Sequence, residues 1–151
     1  MVQWFLAHGA SPKLGPPGSV LNATASIGTP ATFQLLLRQG ASLSRGDAVR
    51  AAAGSPEDAG RIPMLTYLID VLGLEVDPPD ENVNGQIGTP IHSAIRSGGL
   101  EKVKFLVWKG ANLQRRNRMG FTPLEVAEKT LFMQIRAFLS NASRTANGRK
   151  S

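Results

Sequence analysis

PIHSAIRSG at residues 90–98, opened by Thr89, and VKFLVWKGAN at residues 103–112 decide how this chain reads. Thr89 is suited to cap a helix by accepting a backbone N–H, and Pro90 at the first helical position loses nothing, because its missing N–H had no partner there. Ala94 is a small residue, placed where two helices can approach closely. The second stretch is an apolar run of about two helical turns that stops at Gly110, a residue suited to a left-handed C-cap. The unit is therefore short helix, turn, longer helix, glycine stop and polar loop.

Outward from this pair, the same pattern recurs. VQWFLAHGAS (2–11), FQLLLRQGAS (33–42) and LTYLIDVLGLEVD (65–77) are further apolar runs ending at glycine. The closing glycines Gly9, Gly40, Gly73 and Gly110 lie 31, 33 and 37 residues apart. A fifth run, MQIRAFLSN (133–141), ends in Ser140-Asn141 instead. Short helices rich in small residues precede the runs at VLNATAS (20–26), AVRAAAG (48–54) and PLEVAEK (123–129), the last again opened by Thr-Pro. A repeat of this period is a helix-pair solenoid.

The chain resembles the ankyrin repeat family, whose signature has the form G-x-T-P-L-H-x-A-A…G…V-x-x-L-L…G-A. Thr89-Pro90-Ile91-His92-Ser93-Ala94 through Gly110-Ala111-Asn112 carries the match, as does Gly120-Phe121-Thr122-Pro123-Leu124 through Leu139. The resemblance implies an all-α fold, a solenoid of stacked antiparallel helix pairs with hairpin-like loops. Residues 1–140 would form it, as a partial repeat at 2–16 and repeats at about 17–46, 47–81, 82–114 and 115–140. Residues 141–151 lack periodic apolar positions and read as a disordered basic tail. Repeat one lacks its first helix, so the chain reads as N-terminally incomplete. Repeat three carries about five extra residues within Gly54–Gly60, and a long loop runs from Pro78 to Gly88. An irregular middle is expected. The first helix, with Trp4, Phe5 and Leu6, should leave an apolar face uncovered, since solenoids need polar ends.

Composition narrows the chemistry. The 151 residues contain no cysteine and two histidines, His8 and His92. This removes thiolate nucleophiles, disulfides and Cys-based zinc sites, and leaves no catalytic, cofactor or metal site in the expectation. In the family pattern His92 is a structural residue of the Thr-Pro turn; His8, at the end of its apolar run, reads as a cap or surface residue. No apolar run reaches the ~20 residues of a membrane span, and no secretory leader is visible, so the expected location is intracellular, cytoplasmic or nuclear. The net charge of +6 is polarised: residues 1–46 carry +3, residues 47–81 carry −6, and residues 96–151 carry +9.

The expected function is a non-enzymatic protein–protein interaction module. Its surface is the loops and the polar side of the short helices, extended and concave. Candidate contacts are Ser44, Arg45 and Asp47; Asn84, Gln86 and Ile87; Ser93, Arg96 and Ser97; and the loop Asn112, Gln114, Arg115, Arg116, Asn117 and Arg118. Three arginines in four residues of that loop can grip carboxylates or phosphates, implying an acidic protein partner; a plain solvated loop tip is the competing reading. Trp108 is either an exposed interface anchor or half-buried against the next repeat. Two alternatives stand beside partner recognition: a fragment of a larger multidomain regulatory protein, and polyanion binding by the basic C-terminal half. Nucleic acid is disfavoured because the bases are scattered and lack interleaved aromatics.

Overall fold

A computed structural model describes residues 2–13, 15–79 and 88–148. The described residues form helices α1 (Val2–Ala7), α2 (Ser19–Ile27), α3 (Pro30–Arg38), α4 (Arg45–Ala53), α5 (Ile62–Thr66), α6 (Pro90–Arg96), α7 (Leu100–Trp108), α8 (Pro123–Glu128) and α9 (Met133–Gly148). A single 3-10 turn, Ala59–Arg61, leads into α5. Among these residues there is no strand.

The helices stack in two rows. In the inner row α2 packs on α4, α4 on α6 and α6 on α8; each inner helix is backed by its following outer helix, as α2 by α3, α6 by α7 and α8 by α9. Small residues make the inner row possible. Ala25, Ala48, Ala52, Ala53, Ala94 and Ala127 are fully buried, and the outer helices fill the remaining space with Phe33, Leu65, Leu68, Val103, Leu106 and Leu139. The structure is an all-helical solenoid.

The helix stops follow the predicted chemistry. Gly9, Gly40 and Gly110 have φ of 91°, 87° and 92°, and in each case the next residue's N–H bonds to a carbonyl five residues back, as from Ala111 to Leu106 at 2.9 Å. That pairing is the Schellman stop, which a left-handed residue permits. Repeat three departs from it. α5 widens into a π-turn over Tyr67–Val71, with the Leu72 N–H reaching the Tyr67 carbonyl at 3.0 Å and Leu74 reaching Leu68. An additional Thr-Pro pair, Thr29-Pro30, caps α3, with the Thr29 hydroxyl accepting the Thr32 N–H at 3.2 Å; the apolar pattern alone starts that helix three residues late.

The structure differs from the sequence expectation at the tail. Helix α9 runs on to Gly148, although none of the residues from 141 to 148 is buried. Apolar periodicity reports which residues a helix buries; a solvated helical extension gives no such signal. At the opposite end, α1 buries no residue, and Trp4 and Phe5 are about half exposed.

Candidate recognition surface

The inner row is the natural starting point, because its polar side faces away from the outer helices. A groove of about 600 Å³ crosses it, lined by Asn22 and Ser26 from α2, Arg50, Ala51 and Gly54 at α4, and Ser93, Arg96 and Ser97 at α6. Ser26, Ser93 and the Asn22 amide offer hydrogen bonds, the Ser97 hydroxyl already donates to the Ala94 carbonyl at 3.0 Å and accepts from Lys102, and Ala51 and Gly54 leave the floor open. The Arg96 guanidinium donates to the Ser93 hydroxyl at 3.4 Å. Partial desolvation lowers its pKa from the ordinary arginine value, so its charge is less well hydrated than that of a free arginine.

Three buried cations escaped the sequence reading: Arg50, which also lines the groove, Arg61 and Lys102. Arg50 donates to the carbonyls of Gly88 (3.0 Å), Pro78 (3.3 Å) and Pro79 (2.9 Å), and pairs with Asp47 at 3.3 Å. It holds together the two ends of the long loop. Arg61 donates to the Gly28 carbonyl at 2.7 Å and pairs with Glu57 at 3.0 Å. Lys102 donates to the Ser55 carbonyl and, at 2.9 Å, to the Ser97 hydroxyl on the groove wall. Burial pushes the Lys102 ammonium down to about 8, against the opposing pull of Asp58. A faint signal for Lys102 was available: it stands four residues before Leu106, on the stripe that α7 buries.

The extra residues of repeat three thus have a defined job. Asp58 accepts the backbone N–H groups of Glu101 and Lys102, both at 2.9 Å, and so caps α7 from a neighbouring repeat. A Cβ at Gly99 would run into the ends of the Lys102 and Asp58 side chains, so any larger residue there would displace the groups that make this cap. With Arg61 reaching back to α2, the insert is a strap across three successive repeats.

His92 is fully buried. The Thr89 N–H donates to its Nδ1 at 3.2 Å, and the Thr89 hydroxyl lies 2.9 Å from the same atom. Nε2 is 3.1 Å from the Phe121 carbonyl, so the ring is the Nε2–H tautomer and bridges two repeats. The Gly88 position presses on this ring, where a Cβ would come within 2.9 Å. His8 accordingly differs: its Nδ1 donates to the Trp4 carbonyl at 2.7 Å, with its ring stacked on Trp4.

The remaining candidates do not gather at one place. In the loop between α7 and α8, Asn117 is buried, and its side-chain oxygen accepts the N–H groups of Met119 and Phe121, both at 3.0 Å. It shapes the loop. Arg115 donates to the Asp77 carbonyl at 3.0 Å, and Arg116 to the Gly120 carbonyl at 2.6 Å and to Glu125 at 3.0 Å. Glu125 is held below the usual carboxylate range, chiefly by the Thr122 N–H it accepts and further by Arg116. Asp77, which accepts the Asn112 N–H at 2.5 Å, is pushed up by burial despite that bond and Arg115. Asn112, Gln114 and Arg118 are exposed. Trp108, on the outer row, is 76% exposed, which removes the half-buried reading; its indole face carries the Lys109 ammonium at 4.4 Å, and Lys109 also pairs with Asp70 at 2.6 Å. Arg45 begins α4, but its side chain, together with Asn84, Gln86 and Ile87, lies outside the described residues.

Comparison with known proteins agrees with this geometry. Residues 88–118 match the family model of the ankyrin repeat. The chain carries an ankyrin repeat. The matched segment contains the Thr89–His92 cap, α6, α7 and the Gly110 stop, and protein binding is the general role of such repeats. Protein phosphatase 1 regulatory subunit 27 of Homo sapiens and that of Mus musculus are each 41% identical over 49 residues, which is 32% of this chain and 32% of either relative. The match spans about a third of the length of these curated relatives. No helix among the described residues is long and apolar enough to cross a membrane.

Proposed function

We propose that this ankyrin-repeat chain is a non-enzymatic recognition module that binds a protein partner across its inner helix row, with the loop from Asn112 to Arg118 as a flanking contact. The carrying observation is the groove, which crosses α2, α4 and α6 and in which Ala51 and Gly54 are too small to fill the space between the flanking helices. Such a surface suits many modest contacts along an extended partner. Affinity capture from a native lysate, with and without nuclease, tests the proposal when run beside Ala51→Arg, which fills the groove floor. A discrete protein set, resistant to nuclease and lost with Ala51→Arg, is the expected result. Capture that depends on nucleic acid, or that ignores the filled groove, refutes it.

The relatives favour one more specific reading. They are named as regulatory subunits of a phosphatase, and the shared 49 residues support a phosphatase catalytic subunit as the partner. Purified protein phosphatase 1 catalytic subunit, titrated onto the chain, checks this directly.

A further inference from the structure

The geometry points to a second copy of this chain as the occupant of a groove on the α8–α9 pair, in a two-fold pairing that sets Glu128 of each copy against Arg136 of the other. This groove holds about 560 Å³ and shares no described lining residue with the one on the inner row. Leu124 and Glu128 line it from α8; Met133, Arg136, Ala137 and Ser140 line it from α9. The α8 pair is four residues apart, and the α9 residues follow Met133 by three, four and seven, so each set is one helix stripe. The two helices pack inward on α6 and α7, while Glu128, Met133, Arg136 and Ala137 stay exposed.

Charge complementarity selects the occupant. The groove carries an acid on the α8 side, Glu128, and a base on the α9 side, Arg136. Among the described residues neither joins an ion pair. A two-fold axis repeats every contact, so that a bond from residue i to residue j returns from j to i. One acid and one base on facing stripes therefore make a surface complementary to itself, with two guanidinium–carboxylate contacts across the pair. Between them lies the apolar part. Met133 is 64% exposed, and its flexible thioether can fill the space beside Leu124 of the other copy. The small Ala137 lets the two α9 helices approach closely. The competing seat is the other open apolar element, α1 with Trp4 and Phe5. Residues 2–12 hold no Lys, Arg, Asp or Glu, so α1 of a second copy has no such charge to set against Glu128 or Arg136. An α1-to-groove contact would also be head-to-tail, and it would grow rather than close at two chains.

Analytical ultracentrifugation of the full chain across a concentration series tests the pairing, since mass action should carry it from one chain to two. Glu128→Arg and Arg136→Glu, each alone, should weaken the dimer by about tenfold or more, because each sets like charges together at both contacts. An equal mixture of the two variants should form the dimer again, as every contact then joins an arginine to a glutamate. The double variant carrying both changes should likewise recover it. That recovery excludes misfolding as the cause of the single losses, and the helical circular dichroism signal should match in all variants. Trp4→Ala combined with Phe5→Ala should leave the dimer intact. A chain that stays monomeric throughout the series overturns the proposal, as does an association that the two charge reversals leave unchanged or that mixing them fails to restore. Association abolished by the Trp4 and Phe5 replacements, or growing beyond two chains, overturns it in favour of the α1 contact.

Discussion

Lys102 occupies a position that packing alone would give to an apolar side chain. Its ammonium satisfies Ser55 and Ser97, yet burial makes the charge costly, and the folded-state pKa falls from 10.5 to about 8. The folded chain therefore releases this proton more readily than the unfolded chain. Below pH 8 both states hold it, and the cost is fully present. Between about 8 and 10.5 only the unfolded state holds it, so stability rises with pH across that window. The expected gain is on the order of 1–3 kcal/mol, read from urea denaturation at pH 7.5, 9 and 10. Lys102→Met should flatten the profile, and a flat profile in the unaltered chain would refute the account. His92 shows the opposite degree of legibility. Its place in the Thr-Pro turn follows from the repeat signature, whereas nothing in the neighbours of Lys102 announces that its charge is satisfied by Ser55, 47 residues earlier.

Among the elements, α7 is held most unusually, because its N-terminal cap comes from a residue more than forty positions away. Asp58→Ala should remove both accepted N–H bonds and cost about 1–2 kcal/mol. Chemical denaturation measures the loss, and an unchanged midpoint would show that the strap is dispensable. Ala94, fully buried in α6, tests the inner row itself. Ala94→Leu should destabilise by ~1–3 kcal/mol through overpacking, and an undisturbed melting transition would place Ala94 away from the close layer. The glycine stops at Gly9, Gly40 and Gly110 and the Thr-Pro caps of α6 and α8 made those helix ends readable. The π-turn at Tyr67–Val71 was not, because widening a helix by one residue leaves the apolar composition unchanged. The insert was visible as an interruption of the repeat; its use was not, since Glu57, Asp58 and Arg61 look like ordinary solvated charges until their partners are known.

At the scale of the whole molecule the basic C-terminal half divides into two populations. Some of its charges are buried in the stack, as Lys102 is; others, such as Arg115 and Arg116, make contacts within or beside the loop, and the rest face solvent. Replacing Arg115, Arg116 and Arg118 together by Glu should leave the helical circular dichroism signal unchanged and weaken partner capture, most clearly at low salt, where unscreened charge acts farthest. Capture that withstands the triple replacement would limit recognition to the groove. The candidate surface was only partly readable for the same reason. Arginine spacing marked the loop, but no spacing rule distinguishes Arg116, drawn toward Glu125, from an arginine that waits for a partner.

The strap also changes how the stack should respond to mechanical load. Tension applied between the two ends of the chain would pass from α2 to α7 through the Arg61 and Asp58 contacts as well as through helix packing, two load paths in parallel. The α8–α9 pair lies beyond the strap and is held by packing, the His92 bridge and the exposed Arg116–Glu125 pair. An optical-tweezers trace should therefore show an early yield of about 30 residues, roughly 100 Å of extended chain, followed by rupture of the strapped block as one unit. Cutting the strap at Asp58 should turn that single rupture into a staircase, making this spring stiff in its middle and compliant at its C-terminal end.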